Sequence, residues 1–294
     1  MLARPITPAD YARVLPDATT PFFISPRFLA LNARKASAVH YLSVGPGVIA
    51  LGESIANGLL SSPWSAPYAP LHPELLARFP EAIEALRAYA ASRSLTLRLT
   101  LPPTFLSPAP PTLLSASDGW NDINFHIDAD TWSTLNLHRD VRRMLRRADE
   151  SGQTASTLPL TELPRVYAIV DRNHRERGYP VAMSLDDVEA TATLVPTSLH
   201  VVTSPDEGDV AAAIWFHVAP RVAHAVLWGN LTHSTARFPM YQLARHAVST
   251  LPDLWGIRWL DLGPAAIAGE IDRGLARFKR HIGAIESIKP TRFF

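Results

Sequence analysis

Residues 259–283 read WLDLGPAAIAGEIDRGLARFKRHIG, and the way this stretch folds decides the class of the chain. Its apolar opening predicts a short strand that closes on Asp261-Leu262-Gly263-Pro264. Ile267, Ile271, Leu275 and Phe278 follow at spacings of four, four and three, which predicts a helix with one apolar face. Phe278-Lys279-Arg280 lies near the end of that helix, and Gly283 suits its left-handed termination. A β-rich run over residues 285–288 comes next. The order is strand, DLG turn, helix carrying G-L-x-x-F-K, glycine, strand.

Composition bounds what can surround this unit. The chain has 294 residues, 47% of them hydrophobic, enough for two domains with a sizeable core and too apolar for a disordered chain. Its 28 basic residues against 27 acidic ones leave a formal charge of +1, so whole-molecule charge does not select a nucleic-acid partner. The absence of cysteine excludes disulfides, thiolate zinc sites and cysteine nucleophiles. Eleven histidines are scattered without H-x₃-H or H-E-x-x-H spacing, which argues against a metal centre. The first residues, MLARPITPADYARVLP, lack the apolar core of a signal peptide, and no window reaches about 18 uninterrupted apolar residues. The expectation is a soluble, cytoplasmic protein with no membrane span.

Working outward, the N-terminal half predicts helices over 7–15, 22–34 and 73–92 and strands over 38–44, 48–52 and 94–101. The last of these alternates as SLTLRLTL. Residues 61–73, SSPWSAPYAPLHP, read as an ordered loop, and the proline-rich 102–112 as the hand-over between domains 1–115 and 116–294. The second half reads strand 121–128, helices 135–151, 161–178 and 185–195, and strands 199–203, 210–218 and 223–228. Helix 240–251 and strand 258–262 then lead into the segment quoted above.

This order and the DLG and G-L-x-x-F-K motifs resemble the FemAB-like transferases, a branch of the GNAT acyltransferase superfamily. VRRMLRRADESG (141–152), RNHRERGYP (172–180), DVAAAIWFHV (209–218) and VLWGNLTHSTARFPMYQLARHAV (226–248) are similar to successive segments of that family's second domain. The resemblance implies an α/β (α+β) protein of two tandem GNAT-like domains, each a mixed, mainly antiparallel twisted sheet flanked by helices. It implies transfer of an acyl or aminoacyl group to a small-molecule or peptide amine without metal, and leaves the donor open between acyl-CoA and aminoacyl-tRNA. CoA-dependent relatives cradle pyrophosphate in a glycine-containing loop. The corresponding residues here, 232–239 (THSTARFP), contain no glycine. That departure suits the aminoacyl-tRNA branch better than an acetyl-CoA enzyme with an atypical phosphate loop, and it also suits a non-catalytic GNAT-scaffold binding protein.

Transfer to an amine needs a stabilised carbonyl oxygen and a held acceptor. By resemblance, Phe278 and Lys279 stand where the family contacts the donor, which implies that Lys279 stabilises an oxyanion or a leaving ribose oxygen. The residues alone equally fit Arg277, Lys279 and Arg280 complementing a helix C-terminus. Asp261 reads either as a base, direct or through water, or as a turn former. Arg142 and Arg146, in the dense arginine helix, read as phosphate-binding groups or as a solvated face. Tyr179, Trp228, Asn230 and Arg237 are further candidates for lining the substrate cleft, and His217 and His224 read as interior residues.

Overall fold

The computed structural model describes residues 1–15, 21–107, 111–114 and 117–294. The expected domain boundary at 115 and 116 lies outside them. Two compact units emerge, each drawing on more than one stretch of chain: 1–124 with 264–271 and 287–294, and 125–263 with 272–286.

The first unit holds strands β1 (Ala3–Pro5), β2 (Ala38–Val44), β3 (Gly47–Ser54), β4 (Leu59–Ser62) and β5 (Thr96–Thr100). Its helices are α1 (Pro8–Val14), α2 (Pro26–Asn32), α3 (Pro73–Ala77), α4 (Phe79–Ala91) and α5 (Pro111–Leu114). Strands β1 to β4 pair antiparallel in sequence order, and β4 pairs parallel to β5. The alternation of SLTLRLTL has its physical reason here: Leu97, Leu99 and Leu101 join Leu42, Leu51 and Leu60 in a core closed by Ala82, Leu86 and Ala90 of α4. Residues 61–73 are the expected ordered loop, in which the Trp64 indole donates to the Asn32 carbonyl at 3.1 Å.

Strand β6 (Gly119–Asp128) leads into the second unit. There follow α6 (Arg139–Glu150), β7 (Thr154–Leu158), α7 (Leu163–Arg177), α8 (Leu185–Ala192), β8 (Thr197–Ser204), β9 (Gly208–Ala219) and β10 (Val222–Asn230). Next come α9 (Pro239–Trp255) and β11 (Trp259–Pro264). The sheet order is β6-β11-β10-β9-β8-β7. Strands β7 to β10 run antiparallel, and β10 and β11 run parallel. In β9 the run Val210–Phe216 is apolar at every position because α7 and α9 both pack on this strand, and residues of both parities are buried. The mixed, mainly antiparallel architecture expected from the sequence is the one observed.

The quoted segment folds differently from its periodicity. The spacing from Ile267 to Phe278 predicts one helix. The structure instead has a hairpin, β12 (Ala266–Ile267) and β13 (Glu270–Ile271), followed by the shorter helix α10 (Arg273–His281). The cause is local. Ala268 and Gly269 both take left-handed backbone, with φ of 51° and 85°, which turns the chain back. Asp272 then starts the helix, its Oδ1 accepting the Leu275 N–H at 2.9 Å. Ile267 and Ile271 are exposed rather than on a buried stripe. The closing strand β14 (Ile285–Phe293) runs further than residues 285–288, and its end pairs with β5.

Candidate functional site

The site is built where β10 and β11 stop pairing. Their parallel ladder joins Val222 to Trp259, Ala223 to Leu260 and His224 to Asp261. Beyond that point β10 continues to Asn230 paired with β9. The carbonyls of Leu262 and Gly263 are met by a side chain instead. Lys279 Nζ, reaching from α10, donates to them at 2.8 and 2.9 Å. Lys279 is 1% exposed, and its ammonium sits 5.7 Å from the Phe125 ring centroid and 6.0 Å from that of Trp228. A buried cation is held here by carbonyl dipoles and aromatic faces, surroundings in which its field is weakly screened.

Asp261 organises the same turn. Its Oδ1 accepts the Gly263 N–H at 3.1 Å and its Oδ2 accepts His224 Nδ1–H at 2.9 Å, with the carboxylate fully buried. These bonds are those of the turn-forming alternative. His126 of β6 lies on the other side of Asp261. Burial pushes the His126 imidazole below its ordinary pKa, while the charges of Asp261 and Asp128 act the other way. The buried group is thus a histidine–aspartate–histidine row across three neighbouring strands, β6, β11 and β10.

An aromatic wall joins Trp228 to Phe278, centroids 5.6 Å apart, and Phe278 to Tyr241 at 5.4 Å, edge-on. Tyr179 donates its hydroxyl to Asp272 Oδ2 at 3.1 Å, so it steadies the residue that caps α10. Asp272 is held below its ordinary pKa, first by the Leu275 N–H. Asn230 is buried, and its Nδ2 donates to the Leu231 carbonyl at 2.8 Å and to Thr235 Oγ1 at 2.9 Å. Its own carbonyl accepts from Asn173 of α7. That carboxamide lies against Gly229, where any Cβ would overlap it.

Residues 232–239 form a 3₁₀ turn (Thr232–Arg237) that ends with Phe238 in left-handed backbone, φ 60°. Both the hydroxyl and the N–H of Thr232 bond to Glu176, which pulls the Glu176 carboxyl down to about 2. Arg237 turns to the β8–β9 connection and bonds Ser204 Oγ at 3.2 Å and Asp206 Oδ2 at 3.3 Å. With side chains at every position and its arginine paired, this turn does not fit a pyrophosphate that needs close backbone approach.

Arg142 and Arg146 lie on α6, apart from this constellation, and line a groove of about 530 Å³ with Arg139, Leu145, Asp149 and Arg245. Sequence reasoning missed Phe125, His126 and the His224–Asp261 bond, because pairing across strands is invisible in a single strand's alternation. No group of three or more histidine, aspartate or glutamate side chains placed to hold a metal occurs among the described residues. No helix among them is long and apolar enough to cross a membrane.

Comparison of the whole chain with solved structures then places the architecture. FemX superposes with a TM-score of 0.65 at 11% identity, covering 100% of this chain and 97% of its own. The chain shares the fold of FemX. A C-terminal domain assigned to a lysylphosphatidylglycerol synthetase from Agrobacterium fabrum gives 0.60 at 12% identity, covering 98% of this chain and 92% of its own. A tandem GNAT protein from the clavulanic acid biosynthesis pathway gives 0.53 at 12% identity over 99% and 98%. These chains are matched almost end to end, which fits the tandem GNAT-like reading of the FemAB-like sequence motifs. No protein-family model matches the chain, and no curated protein sequence does.

Proposed function

We propose that this protein is an acyl- or aminoacyltransferase that joins its donor group to an amine acceptor without metal. The observation that carries the reading is the buried Lys279 ammonium at the place where β10 and β11 part, in a fold shared with FemX. Attack of a neutral amine on a donor carbonyl places negative charge on oxygen. A pre-oriented cation under low screening stabilises that charge more than the neutral ground state. Lys279 acts through its field and through the turn whose carbonyls it grips, since its ammonium faces Leu262 and Gly263 rather than solvent. Asp261 and His224 hold that turn in register. Trp228 and Phe278 line the opening, and Tyr179 and Asn230 fix its borders.

The glycine-free turn at 232–239 favours an aminoacyl donor over acyl-CoA, and a charged tRNA is the donor this reading names. The shared fold with a domain assigned to a lysylphosphatidylglycerol synthetase supports this reading. The acceptor is a small-molecule or peptide amine, and the setting is the cytoplasm. The test incubates the purified protein with aminoacyl-tRNA or acyl-CoA and a panel of amines, and detects amide product by mass spectrometry. Product with one donor class supports the proposal. No product and no calorimetric binding with any donor overturns it.

A further inference from the structure

Helix α7 meets the end of β10 with polar side chains where its apolar stripe would continue. Leu163, Val166, Ile169 and Val170 are buried at helical spacing, and Asn173 falls on the same stripe at 5% exposure. A leucine there would serve plain helix-on-sheet packing, and a buried carboxamide costs free energy unless it is hydrogen-bonded. Asn173 Nδ2 donates to the Asn230 carbonyl, while Asn173 Oδ1 lies against Gly229, the residue whose missing Cβ lets the two segments come this close. One helical turn further along, Glu176 Oε2 accepts the Thr232 N–H at 3.1 Å and also the Thr232 hydroxyl. Arg172 Nε holds the other oxygen of Glu176 at 2.8 Å.

The two backbone groups that α7 takes are not arbitrary. The Leu231 N–H still bonds the Val210 carbonyl at 2.8 Å, toward β9. Backbone groups alternate in direction along a strand, so the Asn230 carbonyl points away from β9, to the side on which β11 pairs further back at Val222, Ala223 and His224. A parallel strand continuing opposite Leu231 would donate to the carbonyl of residue 230 and accept the N–H of residue 232. Asn173 supplies that donor and Glu176 that acceptor, from a helix instead of a strand.

We propose that Asn173 and Glu176 are positioning residues that clamp the end of β10 to α7, occupying the bonds through which it could rejoin β11 and so keeping the two strands parted. This rests on the transfer reading above in assigning the parted strands a use. Trp228, the neighbour of Gly229, is thereby held 5.6 Å from the Phe278 ring and 6.0 Å from the Lys279 ammonium. Neither positioning residue touches the reacting groups. Their part is to fix the geometry in which Lys279 and the aromatic wall act.

The experiment uses full-length Asn173→Leu, which keeps the volume and removes the donor, and Glu176→Ala, which changes an exposed side chain. Hydrogen exchange read by mass spectrometry on peptides covering residues 229–232 should rise about tenfold or more in both, with peptides of β8 and β9 unchanged. With aminoacyl-tRNA and an amine, kcat should fall about tenfold or more while the amine KM stays within about threefold. The urea midpoint should stay near that of wild type, which separates lost positioning from lost folding. The control Arg175→Gln, on the same helix end and paired with Asp171, should leave exchange and kcat as in wild type. If Asn173→Leu fails to fold, Glu176→Ala alone decides. Unchanged exchange at 229–232, or raised exchange with unchanged kcat, overturns the inference. If wild type itself forms no amide with any donor, the transfer reading falls and the exchange result alone decides the clamp.

Discussion

Helices α6 and α10 look alike as sequence: both are short, amphipathic and rich in Lys and Arg near a glycine that follows them. The structure puts their cations to opposite uses. On α10, Lys279 turns inward, is 1% exposed and gives hydrogen bonds to two backbone carbonyls. On α6, Arg139 and Arg146 turn outward with no carboxylate partner among the described residues. The difference follows from which residues each helix turns inward. The buried face of α6 is filled by Val141, Leu145 and Ala148. The buried face of α10 has Ala276 and Lys279, and the lysine is tolerated there because the Leu262 and Gly263 carbonyls accept from its ammonium. A cation that is buried and bonded is fixed in place, whereas exposed arginines without a carboxylate partner stay solvated.

The largest effect expected is at Lys279. Lys279→Met keeps the stem and removes the charge. Amide formation should fall well over tenfold, and stability in urea should drop by about 1–3 kcal/mol as two buried carbonyls lose their donor. Unchanged turnover would remove Lys279 from the mechanism and make the two helices equivalent.

A second prediction concerns acid. His200 is fully buried, and burial lowers its pKa to about 3. Its unfolded value is near 6.5, so the unfolded state binds the extra proton between about pH 6.5 and 3. Stability is therefore full above pH 6.5 and falls on acidification, by about 2 kcal/mol between pH 7 and 5. His246, packed 4.9 Å from it, is lowered by burial as well and adds in the same direction. Urea midpoints of wild type and His200→Gln at the two pH values check this: the variant should lose less. The smallest effect is Tyr179→Phe, which deletes one exposed hydrogen bond to Asp272 and should cost under about 1 kcal/mol by the same measurement.

Much of the fold was legible from the chain. The alternation over 94–101 placed β5, and the strands expected over 199–203, 210–218 and 223–228 fall within β8, β9 and β10. The failure at residues 266–271 is instructive, because spacing of four and four is compatible with a helix while two consecutive left-handed residues are not. One of these is Ala268, which carries no composition signal for that backbone. The constellation was legible only in part. Lys279 and Asp261 were singled out, but their partners come from other elements. Leu262 and Gly263 offer backbone atoms, which no sequence motif displays. His224 and His126 reach Asp261 through strand order, which depends on the whole sheet.

The central claim is that a buried cation beside the parting strands supports transfer of an activated carboxyl group to an amine. The most direct measurement is amide product formed by wild type and by folded Lys279→Met from the same aminoacyl-tRNA and amine. The account predicts product from wild type and more than tenfold less from the variant. Equal rates from the two proteins would contradict it.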